Sequence, residues 1–200
     1  MNFRFNDRVD WFRLEVTQRR GFFTNQVLLT AIFICFWIQW LVEERLFTRL
    51  TLTGWSLPGL LAHPFVHVHS LHLIWNLLLL YIFGGLACNA LGPLRQFACF
   101  FLFALAGASG HLLAGGGQAA GASGAICGFV GFVVAGRLAG TVALLDGAVR
   151  VPVNWLALAL VAKDLLFAFL PGMAVSVAGH LGGYLAGACA ALLWRRVYFG

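Results

Sequence analysis

The stretch FFTNQVLLTAIFICFWIQWLV, Phe22 to Val42, decides the fold class. It carries no formal charge over its 21 residues, with Arg19-Arg20 before it and Glu43-Glu44-Arg45 after. A helix needs about 20 mostly apolar residues to cross a hydrocarbon core of roughly 30 Å. The stretch is too long for the apolar part of a signal peptide, and no small-x-small cleavage site closes it. It reads as a membrane span.

Five further stretches are of similar length and mostly apolar. They cover about 71–91, ending at Gly92-Pro93; 94–113, closing on Gly115-Gly116-Gly117; 122–138; 151–170; and 177–194, with Pro171-Gly172 between the last two. Composition agrees: 61% of the chain is hydrophobic and 10% charged, against roughly 45–50% and about 25% in soluble domains. Eight of the twenty formal charges fall in the first twenty residues, leaving twelve for the other 180. So few charges could not cover a soluble fold, and the same figures exclude a disordered chain, a coiled coil and a disulfide-stapled module. The expected fold is all-α, a polytopic membrane protein with a six-transmembrane-helix bundle. Residues 1–21 are expected to form an amphipathic cytoplasmic segment, 22–196 the membrane domain and 197–200 a short tail. The connection Glu43 to Ser70, rich in Leu, Trp and Phe, is expected to lie partly in the membrane interface.

Short cytoplasmic segments hold an excess of Lys and Arg. With the N-terminus inside, ten basic residues lie inside (Arg4, Arg8, Arg13, Arg19, Arg20, Arg95, Arg137, Arg150, Arg195 and Arg196) and three outside (Arg45, Arg49 and Lys163). Both termini are therefore read as cytoplasmic. The N-terminal arginines alternate with Asp7, Asp10 and Glu15, a solvated face at a lipid surface, so no nucleic-acid partner is expected. The five cysteines (Cys35, Cys88, Cys99, Cys127 and Cys189) sit on different helices without metal-ligand spacing. They read as small apolar packing groups. No metal or cofactor is expected.

Strongly polar residues inside membrane helices are costly, so each marks a functional-site hypothesis. Three clusters stand out: His63, His67, His69, His72 and Asn76 leading into helix two; Ser123 in Gly121-Ala122-Ser123-Gly124 opening helix four; and His180 near the start of helix six. With the N-terminus inside, helices two, four and six all run inward from the outer face, so the clusters share one depth. His72 and Asn76, four apart, stack on one helix face. A serine, a histidine and a His/Asn pair at one level are the parts of acyl-transfer chemistry: nucleophile, proton acceptor and oxyanion donors. Gly179, Gly183 and Gly187 form a side-chain-free ridge on helix six, and Gly124 and Gly128 do so on helix four. Such faces let helices approach closely, as a short serine hydroxyl requires of its base. The same ridges also serve ordinary membrane-helix packing.

GASGAICG (Gly121 to Gly128), AGHLGGYLAG (Ala178 to Gly187), HVHSLHLIWN (His67 to Asn76) and the Gly84-Gly85 pair together resemble the rhomboid family of intramembrane serine proteases, over about Ala62 to Gly187. The resemblance implies a six-helix core with Ser123 as nucleophile and His180 as general base. It implies oxyanion donors from Asn76, His72 and the Ser123 backbone N–H, with His67 and Gly121 nearby. The implied partners are the lipid bilayer and single-pass transmembrane-helix substrates, which unwind locally and present a small residue for cleavage near the outer face. The family works with a dyad and no third carboxylate, and Asp146 and Asp164, the only acids in the second half, stand outside the motifs. The compact plan favours a bacterial inner membrane.

Some positions depart from the family pattern. Cys127 stands where a Tyr commonly packs on the base histidine, Cys88 and Ala90 where a Glu and an Arg follow the Gly-Gly pair, and Pro58-Gly59 near the place of a Trp-Arg pair. Tyr184, four residues after His180, is expected to supply part of the missing support; the alternative is a Tyr packed between helices with its hydroxyl bonded elsewhere. His63 and His69 are expected to be interfacial or loop-bonding, and His111 structural or water-facing. A zinc site of His63, His67 and His69 is disfavoured, since no carboxylate joins them and no His-Glu-x-x-His run exists. Cys127 as nucleophile is disfavoured because it lies one turn deeper than Ser123. The rival reading is a non-catalytic rhomboid-like protein that binds membrane helices in quality control or trafficking. A small transporter comes third, lacking a visible inverted repeat.

Overall fold

The computed structural model describes residues 21–41, 44–138, 140–144, 149–169 and 176–199. The amphipathic segment expected over 1–21 lies, but for Gly21, outside the described residues, as does the Pro171-Gly172 break. Helix α1 (Gly21–Ile38) runs into a 3-10 turn, Gln39–Leu41. The long connection then folds into two short helices, α2 (Glu44–Leu50) and α3 (Leu57–Ala62), and a 3-10 turn, His63–Phe65. A continuous rod follows: α4 (Ser70–Leu79), a π-helical turn (Leu80–Gly84) and α5 (Gly85–Leu91). After it come α6 (Pro93–Leu113), α7 (Ser123–Ala135), a hairpin of β1 (Thr141–Leu144) and β2 (Val149–Pro152), α8 (Val153–Ala168) and α9 (Val177–Phe199).

Among the described residues, four of these are long and apolar enough to cross a membrane: Thr24–Leu41, Ser70–Leu91, Pro93–Leu113 and Val177–Val197. Their outer surfaces carry bare Phe33, Trp37, Leu102, Leu185 and Leu192, each about half exposed, as suits a lipid surround. The chain is an all-α multi-pass membrane protein.

The two remaining helices are shorter than the apolar stretches suggest. Helix α7 has 13 residues, where the sequence predicts a span over 122–138, and every residue from Ala125 to Val133 is buried. A helix apolar all round is a core helix; encased by others, it need not reach either lipid surface. At 1.5 Å per residue it spans about 20 Å, less than the roughly 30 Å of a hydrocarbon core. Its C-terminus closes with Leu138 N–H on Val133 O (2.9 Å) and Arg137 N–H on Val134 O (3.0 Å), with Arg137 at φ +54°. That is a Schellman stop in which Arg stands where Gly is usual.

Helix α8 starts at Val153 and not at 151 because residues 149–152 form a strand. Val149 and Val151 pair antiparallel with Leu144 and Val142, and Val153 N–H closes on Gly140 O at 2.9 Å. β-branched residues favour this pleated pairing, a hairpin that the apolar run concealed. Helix α9 extends to Phe199, through residues 197–199 of the expected tail.

The core surrounds α7, where Phe83, Phe100, Phe103, Phe129 and Phe132 are fully buried. At one end, buried Asn25 donates to Leu80 O (3.2 Å) and accepts from Gln96 Nε2 (3.1 Å). The π turn begins at Leu80, and a side chain supplies a partner for its carbonyl.

Candidate active site

Ser123 is the first residue of α7, reached through Gly121 at φ +117°. A left-handed φ suits glycine, and here it has a second cause: a Cβ on Gly121 would strike the His72 ring. The approach to Ser123 is tied down from the first connection. Gly121 N–H donates to His63 O (2.8 Å), and Leu52 and Ala119 exchange N–H···O bonds of 2.8 and 3.0 Å. His63 is buried with its ring on Gly59 O (2.9 Å). It is a loop-bonding residue, and desolvation lowers its pKa.

His180 lies in the first turn of α9. Its Nε2 stands 3.0 Å from Ser123 Oγ. The glycines explain that approach. A Cβ on Gly183 would overlap Gly124 O, and one on Gly187 would overlap Gly128 O. The α9 ridge thus rests on α7 backbone carbonyls. Gly128 itself faces Phe103 of α6, and a Cβ on Gly107 of α6 would sit 2.9 Å from Gly124 Cα and 3.1 Å from Gly179 O. Gly107 and Gly131, which the sequence reading passed over, belong to the same three-helix contact.

Ser176 fixes where α9 begins. Its Oγ accepts from Gly179 N–H (3.0 Å) and lies 2.6 Å from His111 Nδ1. His111 Nε2 lies 2.9 Å from Gly117 O, which can only accept. Nε2 therefore carries the proton, and the Ser176 hydroxyl donates to Nδ1. His111 is a structural pin from α6 to the helix that carries His180.

The expectation that no carboxylate joins the serine and histidine is overturned. Asp164, buried at 4% exposure, brings Oδ1 to 2.9 Å from His180 Nδ1, an ion-pair distance at which neither atom has hydrogen-bond geometry. Lys163 Nζ approaches the same oxygen at 2.7 Å, and Tyr184 Oη donates to Oδ2 at 2.9 Å. Tyr184 therefore reaches His180 through the carboxylate; its hydroxyl is not bonded to the imidazole. Asp164 was passed over because no motif contains it, yet an acid late in the fifth apolar stretch shares the depth of Ser123 and His180. Cys127 is buried with its thiol in hydrogen-bonding reach of Tyr184.

Cys127, Asp164 and His180 hold potential ligand atoms within 4.8 Å of one another. Thiolate, imidazole and carboxylate suit zinc, but Lys163 and Tyr184 already engage this carboxylate and oppose a second cation.

On the far side of Ser123, His72 lies on α4 above Gly121. Asn76 is buried, and its Nδ2 donates to His72 O at 2.9 Å, leaving one amide hydrogen uncommitted in that bond. The ring of His67 lies 5.1 Å from that of His72, tilted by 57°. His67 is fully buried, and Gln39 clamps its backbone, accepting from N–H (3.1 Å) and donating to C=O. Burial, with His72 alongside, lowers its pKa from 6.5 to about 4. No side chain caps the N-terminus of α7, so first-turn N–H groups, without intrahelical partners, face the Ser123 side.

The Rhomboid domain family matches residues 54–197. This chain belongs to the rhomboid family. Rhomboids are a family of intramembrane proteases that act in the lipid bilayer on membrane-protein substrates. No curated protein gives a match to the chain. Within the rhomboid domain lie Ser123, His180, His72, Asn76, His67 and Gly121, together with Asp164 and Tyr184.

Proposed function

We propose that this rhomboid is an active intramembrane serine endopeptidase that cuts single-pass transmembrane substrates near the outer face of the membrane. The observation that carries the reading is the 3.0 Å contact between Ser123 Oγ and His180 Nε2. A hydroxyl within hydrogen-bond reach of an imidazole is the arrangement that nucleophilic acyl transfer requires. In the proposed reaction Ser123 Oγ attacks the scissile carbonyl carbon while its proton passes to His180 Nε2. The oxyanion forms between the first-turn N–H groups of α7 and the side chains of His72 and Asn76. The tetrahedral carbon then expels the amine, which takes the proton from Nε2. Water attacks the acyl-serine through the same base, releasing the acid and restoring both residues.

The excess of Arg on one side of the spans supports cytoplasmic termini in a plasma-type membrane, with the site opening outward. The test is cleavage of a model single-pass substrate in proteoliposomes, with Ser123→Ala and His180→Ala for comparison. Both variants are expected to be inert, and a serine-directed mechanism-based inhibitor should label Ser123 in the native protein. Undiminished cleavage by Ser123→Ala would end the assignment. A well-folded native protein that neither cleaves nor takes the label would instead be a non-catalytic binder of membrane helices.

A further inference from the structure

We infer that Asp164 is a positioning residue for His180, so that this site works as a serine–histidine pair oriented by a buried carboxylate that Tyr184 and Lys163 hold in place. The inference rests on the protease reading above and goes beyond it. It begins from the tautomer problem. For Nε2 to accept the serine proton, the neutral imidazole must carry its hydrogen on Nδ1. Asp164 Oδ1 lies 2.9 Å from Nδ1, an ion-pair distance outside hydrogen-bond alignment, and the carboxylate's charge there favours the tautomer with hydrogen on Nδ1. When the proton arrives on Nε2, the imidazolium faces the Asp164 carboxylate, which Lys163 partly offsets, in a buried position where such stabilisation counts for more than at a surface.

Asp164 is itself held on each oxygen. Tyr184 Oη binds Oδ2 at 2.9 Å, and Lys163 Nζ shares Oδ1 at 2.7 Å. The positive charge that His180 gains in the proposed reaction is matched by the negative charge of the oxyanion that forms with it. Tyr184 stands one helical turn from His180 on α9, which places both side chains on one face toward α8. Only Val153, Ala157 and Asp164 are buried on α8. The carboxylate therefore ties a sparsely packed helix to the base it orients.

The experiment compares native protein with Asp164→Asn, Asp164→Glu, Tyr184→Phe and Ser123→Ala in proteoliposomes, reading kcat and KM separately across pH. Thermal melting is followed in parallel. Asp164→Asn is expected to lower kcat by about 100-fold or more with little change in KM, as loss of an orienting carboxylate does in serine proteases. The acidic limb of its kcat/KM profile should move to lower pH, because the imidazolium loses its counter-charge. Asp164→Glu should recover part of the loss, and Tyr184→Phe should lower kcat by a smaller factor without moving that limb. Should Asp164→Asn fail to melt cooperatively, Tyr184→Phe and Asp164→Glu carry the same test. The inference is overturned if well-folded Asp164→Asn keeps kcat within threefold of native and its acidic limb does not move, while Ser123→Ala is inert. If Ser123→Ala also cleaves, the protease reading itself has failed.

Discussion

Gly183→Ala adds one methyl group to the ridge on which α9 meets α7. The new Cβ would overlap the carbonyl oxygen of Gly124 and sit 3.1 Å from its carbonyl carbon and 3.2 Å from Cys127 Cβ. All three atoms belong to or adjoin a buried backbone that cannot rotate away. Relief requires the helices to part by about 1 Å locally, an overpacking typically costing about 1–3 kcal/mol. Gly124 follows Ser123 directly, so the same displacement lengthens the Ser123–His180 contact from 3.0 Å to about 4 Å, beyond hydrogen-bond reach. A misplacement of about 1 Å can lower a rate by about 100-fold. The assay is kcat on a fluorogenic single-pass substrate in proteoliposomes, beside the melting temperature. Gly85→Ala is the control, since its Cβ would meet only Asn25 Nδ2, at 3.8 Å, and helix propensity should make it slightly stabilising. Gly183→Ala is expected to retain about 1% of native turnover. Turnover within threefold of native, at an unchanged melting temperature, would show that the glycine ridge does not set the distance between hydroxyl and imidazole.

Ser176→Ala removes the cap of α9 and the hydroxyl that His111 holds. It should cost about 1 kcal/mol of stability, seen in thermal melting, and lower kcat more than KM by loosening the turn that carries His180. Asn25→Leu leaves Gln96 and Leu80 O without their buried partner, a loss of about 1–3 kcal/mol. Because this cluster lies at the end of the bundle away from Ser123, kcat should stay near native in the protein that remains folded. His67 yields a pH prediction. Its pKa in the fold lies at about 4, below 6.5, so the native state resists a proton that an opened loop accepts. Stability is therefore full above pH 6.5 and falls as pH drops towards 4, by at most about 3 kcal/mol. His67→Gln should flatten that acid limb in melting experiments, and an unchanged limb would remove His67 as its source.

The membrane class and the helix order were legible in the sequence because long, mostly apolar runs with so few charges have few other physical solutions. The approach of α7 and α9 was legible too, since glycine at four-residue spacing on a membrane helix leaves one flat face. The lengths of α7 and α8 were not. Apolarity alone cannot separate a helix that spans lipid from one encased by its neighbours, nor a buried strand such as Val149–Pro152 from a helical turn. Asp164 was hidden for a different reason. Motifs record residues that are close in sequence or repeat across a family, whereas Asp164 meets His180 through the packing of two helices. The general rule that an ionisable group within a membrane segment marks a site would have found it at once.

Cys127 and Tyr184 are better read together than as separate departures. A Tyr at 127 would stand on the α7 side of the imidazole; here that position holds a buried thiol, and the aromatic ring comes from α9, one turn beyond His180. Moving the ring to His180's own helix changes what its hydroxyl can reach. It lies 2.9 Å from Asp164 Oδ2, so the carboxylate, absent from the motifs, becomes the link between ring and base. A single substitution to Tyr at 127 should therefore not improve the site, because Gly183 and Tyr184 already fill the space beside Cys127 and the added bulk would crowd a closed core. If Asp164, held by Lys163 on α8 and Tyr184 on α9, orients the imidazole as proposed, loss of Asp164 should lower kcat more than any change at Cys127.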